Sequence, residues 1–124
     1  MSGHPTVGHR GVSPSAIDEL ADAVGVDGAI EVIDAYVEWI DGYIRDVRDL
    51  ESLGAAAHAL RSTGKVLGLD ALADHCEKTD LAIIGGTPVD VAEGVARLRA
   101  LAAEALPYLQ DGLRRLGERR ATPP

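Results

Sequence analysis

Residues 27–47 read DGAIEVIDAYVEWIDGYIRDV, and their spacing decides the fold class. Ile30, Ile33, Val37, Ile40, Ile44 and Val47 recur every three or four positions, the period of an α-helix with one apolar face. A half-buried strand would alternate apolar and polar residues at every second position, and no stretch of the chain does so. Asp27 is expected to cap this helix. Trp39 falls about 180° from Ile30 at 100° per residue, which puts it on the outer side.

The same reading extends in both directions. Upstream, Ser15 with Asp18 three positions later makes a capping-box-like start, and Ile17, Leu20, Ala21 and Val24 follow at helical spacing before Gly25. The residues before it mix Gly, Pro and polar side chains without periodicity, so 1–14 is expected to be a flexible tail containing His4 and His9. Downstream, a third helix should start near Asp49 to Ser52 and end at Gly68. A fourth begins at Asp70, carries Leu72, Cys76, Thr79 and Ile83 on one face and stops at Gly85-Gly86. Thr87 is expected to cap the last helix, with Pro88 at its first position. Val91, Val95, Leu98, Ala102, Ala105, Leu109 and Leu116 mark its buried stripe, and Pro107 should kink or split it. The last residues, 118–124, are expected to fray. Residues 15–117 therefore predict one all-α domain, an antiparallel four-helix bundle with a short extra N-terminal helix.

Composition narrows the function. Aromatic residues are only 3% of the 124 and Phe is absent, so the core must come from Leu, Ile, Val and Ala, which suits helices. A net charge of −8 argues against a general nucleic-acid binder. The single Cys76 excludes an internal disulfide and fits a reducing, cytoplasmic setting. There is no apolar run long enough for a membrane span and no leader-like start, so no membrane association is expected.

Within the third helix lies AHALRSTGKVLG, residues 57–68. On the wheel Leu53, Ala56, Leu60 and Leu67 cluster opposite His58, so the core lies behind the histidine and the imidazole faces out. On its own side stand the small residues Gly54, Ala55 and Ser62, which leave it accessible, together with the cations Arg61 and Lys65. An exposed imidazole is a good nucleophile near neutral pH and can be approached by a phosphorylated group of another protein. Arg61, Ser62 and Lys65 are placed to hold phosphoryl oxygens or to attract an acidic partner surface. A surface histidine beside a solvated basic stripe is the plainer reading of the same residues.

This stretch resembles the histidine-containing phosphotransfer (HPt) domain, whose pattern is roughly AHxLKGSSxxLG. The match rests on the alanine before His58, Leu60, the basic Arg61, the small residues at 62–64, and Leu67-Gly68. Leu72 and Cys76-Glu77 also look like that family's next helix. The resemblance implies a phosphorelay module without catalytic machinery of its own, in which His58 accepts a phosphoryl group from a receiver-domain aspartate or a hybrid kinase and passes it to another receiver. No cofactor is implied on this chain, and the Mg ion of such transfers belongs to the receiver. Arg61 stands for the usual lysine and Ser62 for the usual glycine, and the second change is the main departure. The family often fixes the second ring nitrogen with a polar residue of the neighbouring helix; Glu77, Thr79 and Asp80 are all eligible here. A monomer is expected.

Other motifs carry less. Ser62-Thr63-Gly64-Lys65 lacks the first glycine and the hydroxyl residue of a phosphate-binding loop. His75 and Cys76 point about 100° apart on a helix and make a poor metal pair, so no metal site is expected. The competing functional reading is a small helical adaptor that binds a protein partner through the same outer face, including Trp39, with no phosphate chemistry.

Overall fold

The computed structural model describes residues 11–121, and within them the chain is all-helical, with five helices and no strand. These are α1 (Ala16–Val24), α2 (Val26–Arg45), α3 (Leu50–Val66), α4 (Asp70–Ile84) and α5 (Val91–Ala121). His4 and His9 lie outside the described residues.

The helix boundaries follow from local chemistry, and in three places it differs from the sequence expectation. Ser15 forms no capping box with Asp18: its backbone is already helical, with φ −77° and ψ −12°, which keeps its side chain off the first-turn amides. Asp27 does not cap α2 either. Gly25, at φ +88°, is the single residue between α1 and α2, and only glycine adopts that angle without strain. Asp27 sits in the first turn instead and receives Arg120 of α5 at 3.0 Å. Thr87, finally, closes α4 rather than opening α5: its N–H donates to the Ala82 carbonyl at 2.8 Å, while Gly86 N–H reaches Ile83, a Schellman ending. Asp90 caps α5 by accepting from the Glu93 amide at 3.0 Å.

The start of α3 is as expected. The Asp49 carboxylate accepts from the Ser52 amide and the Ser52 hydroxyl oxygen accepts from the Asp49 amide, a reciprocal box. The hydrogen bonds from Ser52 hold the Asp49 carboxyl below the usual carboxylate range. The end of α3 is another Schellman motif, Leu69 N–H to Gly64 carbonyl at 2.8 Å and Gly68 N–H to Lys65 at 3.0 Å, with Gly68 at φ +80°. The motif turns the chain straight into α4, so α3 and α4 form a tight pair.

Burial selects the rest. Ile17 and Ala21 of α1, Ile33, Tyr36 and Ile40 of α2, Leu53 and Leu60 of α3, Leu72 and Cys76 of α4, and Leu98, Leu109 and Leu116 of α5 share one apolar cluster. Each fully buried Leu or Ile contributes about 1.5–3 kcal/mol relative to leaving it exposed. The most extensive helix contacts are α3 with α4 and α2 with α5; α1 lies on α2. Tyr36, which the periodicity of α2 did not single out, is fully buried. Its hydroxyl donates to the Leu60 carbonyl at 2.6 Å, and burial pushes its pKa above that of an ordinary tyrosine.

Both ends of the described chain are tied down more than their composition suggests. Residues 11–14, assigned above to the tail, are pinned: Gly11 accepts from the Ala71 amide at 2.9 Å, Ser13 donates its amide to Gly68 at 2.7 Å, and the Ser13 hydroxyl meets the Asp70 carboxylate. The Tyr108 hydroxyl lies within hydrogen-bond reach of the Ser13 and Leu67 carbonyls, at 2.9 and 3.0 Å. Residues 118–121, expected to fray, continue α5 and carry Arg119 and Arg120 to Asp22 and Asp27. Pro107 neither splits α5 nor sits in the core. It is exposed, as is Ala103, the residue whose carbonyl a non-proline amide at 107 would meet. No helix among the described residues is long and apolar enough to cross a membrane.

Candidate functional site

His58 lies near the middle of α3, and two-thirds of its side chain is exposed (66%). The residues that the wheel assigned to the opposite face, Leu53, Ala56, Leu60 and Leu67, are all buried. The helix therefore presents the imidazole outward because its apolar stripe is committed to the core.

Across from it, α4 runs back along α3. Ile83 faces Gly54, Asp80 faces His58, and Ala73 faces Gly64. This register brings Asp80 Oδ2 to 3.2 Å from His58 Nδ1. Of the three polar residues eligible for that role, Asp80 is the one in contact: Glu77 is exposed, and Thr79 is buried without reaching the ring. The Asp80 side chain is only 8% exposed, so its charge is largely withdrawn from water. An ionised carboxylate only accepts hydrogen bonds, so Nδ1 carries the proton and Nε2 the lone pair. The nitrogen that keeps its lone pair is thus the one turned away from Asp80.

A second group approaches the same oxygen. Arg61 Nε stands 3.7 Å from Asp80 Oδ2, an ion-pair distance too long for a hydrogen bond, and this nitrogen is buried with no hydrogen-bond partner. Arg61 is one-third exposed at its side chain. With Ser62 and Lys65 it forms the α3 wall of a groove of about 520 Å³, whose α4 wall carries Asp70, Asp74 and Glu77. Ser62 and Lys65 are exposed. The small residues before His58 differ from one another: Ala55 is open, whereas Gly54 faces α4, where an added Cβ would touch Ile83 at 3.4 Å.

Large apolar side chains are exposed on the helices that neighbour α3. On α4, Leu81 and Ile84 share the side of the helix that carries Asp80 and Glu77, and they are 58% and 72% exposed. On α2, Trp39 is exposed as its wheel position predicts and stands edge-on to Tyr36 at a centroid distance of 6.4 Å. Tyr43 is exposed one turn further along. Beneath the site, the Cys76 thiol is pushed up to about 12 by burial and by the charge of Asp80, which leaves it protonated and unreactive. His75 faces α5, its Nε2 at 3.3 Å from the Gly94 carbonyl, and so braces two helices away from the groove. Among the described residues no three His, Cys, Asp or Glu side chains group to hold a metal ion.

Comparison with known proteins is silent. No family model, no curated protein and no solved structure matches the chain. The functional reading therefore rests on the site itself.

Proposed function

We propose that this chain is a phosphorelay histidine phosphotransfer protein of the kind that AHALRSTGKVLG resembles, built as an antiparallel four-helix bundle of α2–α5 with α1 as an extra helix. The packing of α2 on α3, α3 on α4, α4 on α5 and α5 on α2 supports that architecture. The observation that carries the function is the pairing of a solvent-facing His58 with a buried carboxylate, Asp80, on the ring nitrogen that does not react.

The chemistry follows from that pairing. The Nε2 lone pair attacks the phosphorus of a receiver's aspartyl phosphate, an N–P bond forms, the acyl O–P bond breaks, and its electron pair leaves on the aspartate carboxylate. No proton has to leave Nε2. The ring becomes a phosphoimidazolium whose positive charge faces Asp80, as an imidazolium is stabilised by the carboxylate behind it in a hydrolase triad. Reversal onto a second receiver returns the neutral ring. Ser62 and Lys65 line the approach, and Lys65 supplies positive charge toward phosphoryl oxygens and toward the carboxylate-rich active site of a receiver, which also brings the Mg ion. The exposed Leu81, Ile84, Trp39 and Tyr43 offer apolar surface to a docking partner. The protein acts as a carrier, not as an enzyme, and in this reading works as a cytoplasmic monomer.

Those four exposed side chains also favour a second reading, a helical adaptor that binds a protein through this face without phosphate transfer. Incubation with phosphorylated receiver domains separates the two. The phosphorelay reading expects an acid-labile, base-stable phosphate on the wild type and on His75→Gln, and none on His58→Gln. Labelling of His58→Gln, or none on the wild type with any receiver while binding persists, leaves the adaptor.

A further inference from the structure

We infer that Arg61 is a positioning residue that acts through Asp80: it offsets the buried carboxylate so that the ring of His58 stays neutral and nucleophilic. The inference rests on the phosphorelay reading only in taking His58 as the nucleophile. Its basis is one shared atom, Asp80 Oδ2, which lies 3.2 Å from His58 Nδ1 and 3.7 Å from Arg61 Nε.

A carboxylate withdrawn from water has a strong effect on an adjacent imidazole. Left alone, Asp80 would favour the imidazolium, because a nearby opposite charge stabilises the charged form. The imidazolium has no lone pair on Nε2 and cannot attack phosphorus. A buried lone carboxylate is also costly in itself. Arg61 answers both needs from one turn along α3. Its Nε is buried at Asp80 without a hydrogen bond, an unusual expense for a guanidinium whose only role is to meet phosphate in solvent. The chain of charges runs from cation to carboxylate to neutral ring, and the proton on Nδ1 remains shared with an acceptor of reduced net charge.

The other groups around the ring do not supply that compensation. On α3, Lys65 lies two turns on and Glu51 two turns before, both exposed. On α4, Glu77 is exposed in the groove wall and Cys76 is neutral. From α2 the Tyr36 hydroxyl reaches α3 at Leu60, and Asp46 is exposed at the helix end. Arg61 is the cation that meets Asp80 in an ion pair.

The test uses phosphoramidate, which needs no receiver: Nε2 attacks its phosphorus, the P–N bond breaks and ammonia departs. Labelling of His58 is followed by peptide mass spectrometry across pH 5–9 in the whole protein. Below a certain pH the rate falls as the ring protonates. Arg61→Met should move that low-pH limb upward without lowering the high-pH plateau, since an Asp80 freed of its cation stabilises the phosphoimidazolium at least as well, and Arg61→Lys should restore most of the shift. Arg61→Gln is measured in parallel, so that misfolding of one variant does not remove the test. In an Asp80→Asn background, adding Arg61→Met should produce no further shift. A limb that stays in place, a plateau that drops without a shift, or a shift that persists in Asp80→Asn overturns the inference. Transfer from receivers is scored separately. If it fails while the limb moves, the phosphorelay reading falls and the role of Arg61 stands; the reverse result sinks Arg61 alone.

Discussion

The hydroxyl of Tyr36 donates to the Leu60 carbonyl at 2.6 Å and lies directly over Gly64, where an added Cβ would stand 2.5 Å from the phenolic oxygen. One contact therefore joins α2 to the turn of α3 that follows His58, and it needs both a hydroxyl above and a bare backbone below.

This arrangement makes a stability prediction with a built-in control. Tyr36→Phe should cost about 1 kcal/mol through the lost hydrogen bond. Gly64→Ala should cost about 1–3 kcal/mol by overpacking, despite the helix propensity that alanine adds. The double variant should be more stable than the sum of the two losses implies, because phenylalanine vacates the space the methyl group needs. Urea unfolding of the four proteins measures it; simple additivity would mean that the close approach is not what constrains position 64.

Asp80→Asn should slow phosphoryl transfer without unfolding the protein. The amide still reaches Nδ1 but offers no charge to a phosphoimidazolium and can select the wrong tautomer. A loss on the order of 10- to 100-fold is expected, the range found when the carboxylate behind a metal-bound imidazole is removed. Transfer at the wild-type rate would show that Asp80 is a bystander. Nitrogen NMR of the ring gives the tautomer independently.

Ser62→Gly separates access from stability. It should keep or speed transfer by clearing space beside the imidazole, and it should lower stability by about 0.5 kcal/mol because glycine is the poorer helix former. A severe fall in transfer would instead assign the hydroxyl a direct part in the reaction.

Gly68→Ala should be among the most damaging small changes in the chain. The residue would be held at φ +80°, and its Cβ would meet the Ser13 carbonyl at 2.5 Å and Ala16 Cβ at 2.7 Å. A loss of at least about 2 kcal/mol is expected. Faster hydrogen exchange at Ser13 and Ala16 should accompany it, since Gly68 carries the N-terminal segment.

The protein should lose stability in alkali because two buried groups, Cys76 and Tyr108, ionise more readily in the unfolded chain. Burial pushes the Cys76 thiol and the Tyr108 hydroxyl up to about 12, from ordinary values of 9.0 and 10.0. The unfolded chain releases those protons first, so their contribution is complete below about pH 9 and is lost as pH rises toward 12. Cys76→Ala should flatten the early part of that decline in a melting-temperature series. On the acid side the signs reverse for Asp49 and Asp111, which hydrogen bonds hold below the usual carboxylate range, so their contribution fades as pH falls.

The helical periods of α2, α3 and α5 were legible because their apolar residues repeat every three to four positions, and the outward turn of His58 followed from the same arithmetic. Caps were less so. Ser15, Asp27 and Thr87 each have the right side chain, but which residue leaves the helical backbone region depends on how neighbouring segments dock. Asp80 was one of three options because a single helix cannot name its neighbour. Counting outward from Gly68, the hinge of the α3–α4 pair, does not choose among them: His58 lies ten residues before it, and Glu77, Thr79 and Asp80 lie nine, eleven and twelve after. The buried Nε of Arg61 and the docking of residues 11–14 leave no mark in periodicity, since both depend on contacts between distant segments.

The seam between the two ends of the fold carries a consequence for synthesis. Ser13 meets Tyr108, Asp18 meets Arg115, and Asp27 meets Arg120, pairs more than 90 residues apart. Segments made early thus wait for the last helix before they can close, and loop closure over such distances is slow. Until α5 leaves the ribosome, the apolar sides of α1 and α2 that it will cover have no permanent occupant, and that interval is when the nascent chain is most in need of a chaperone.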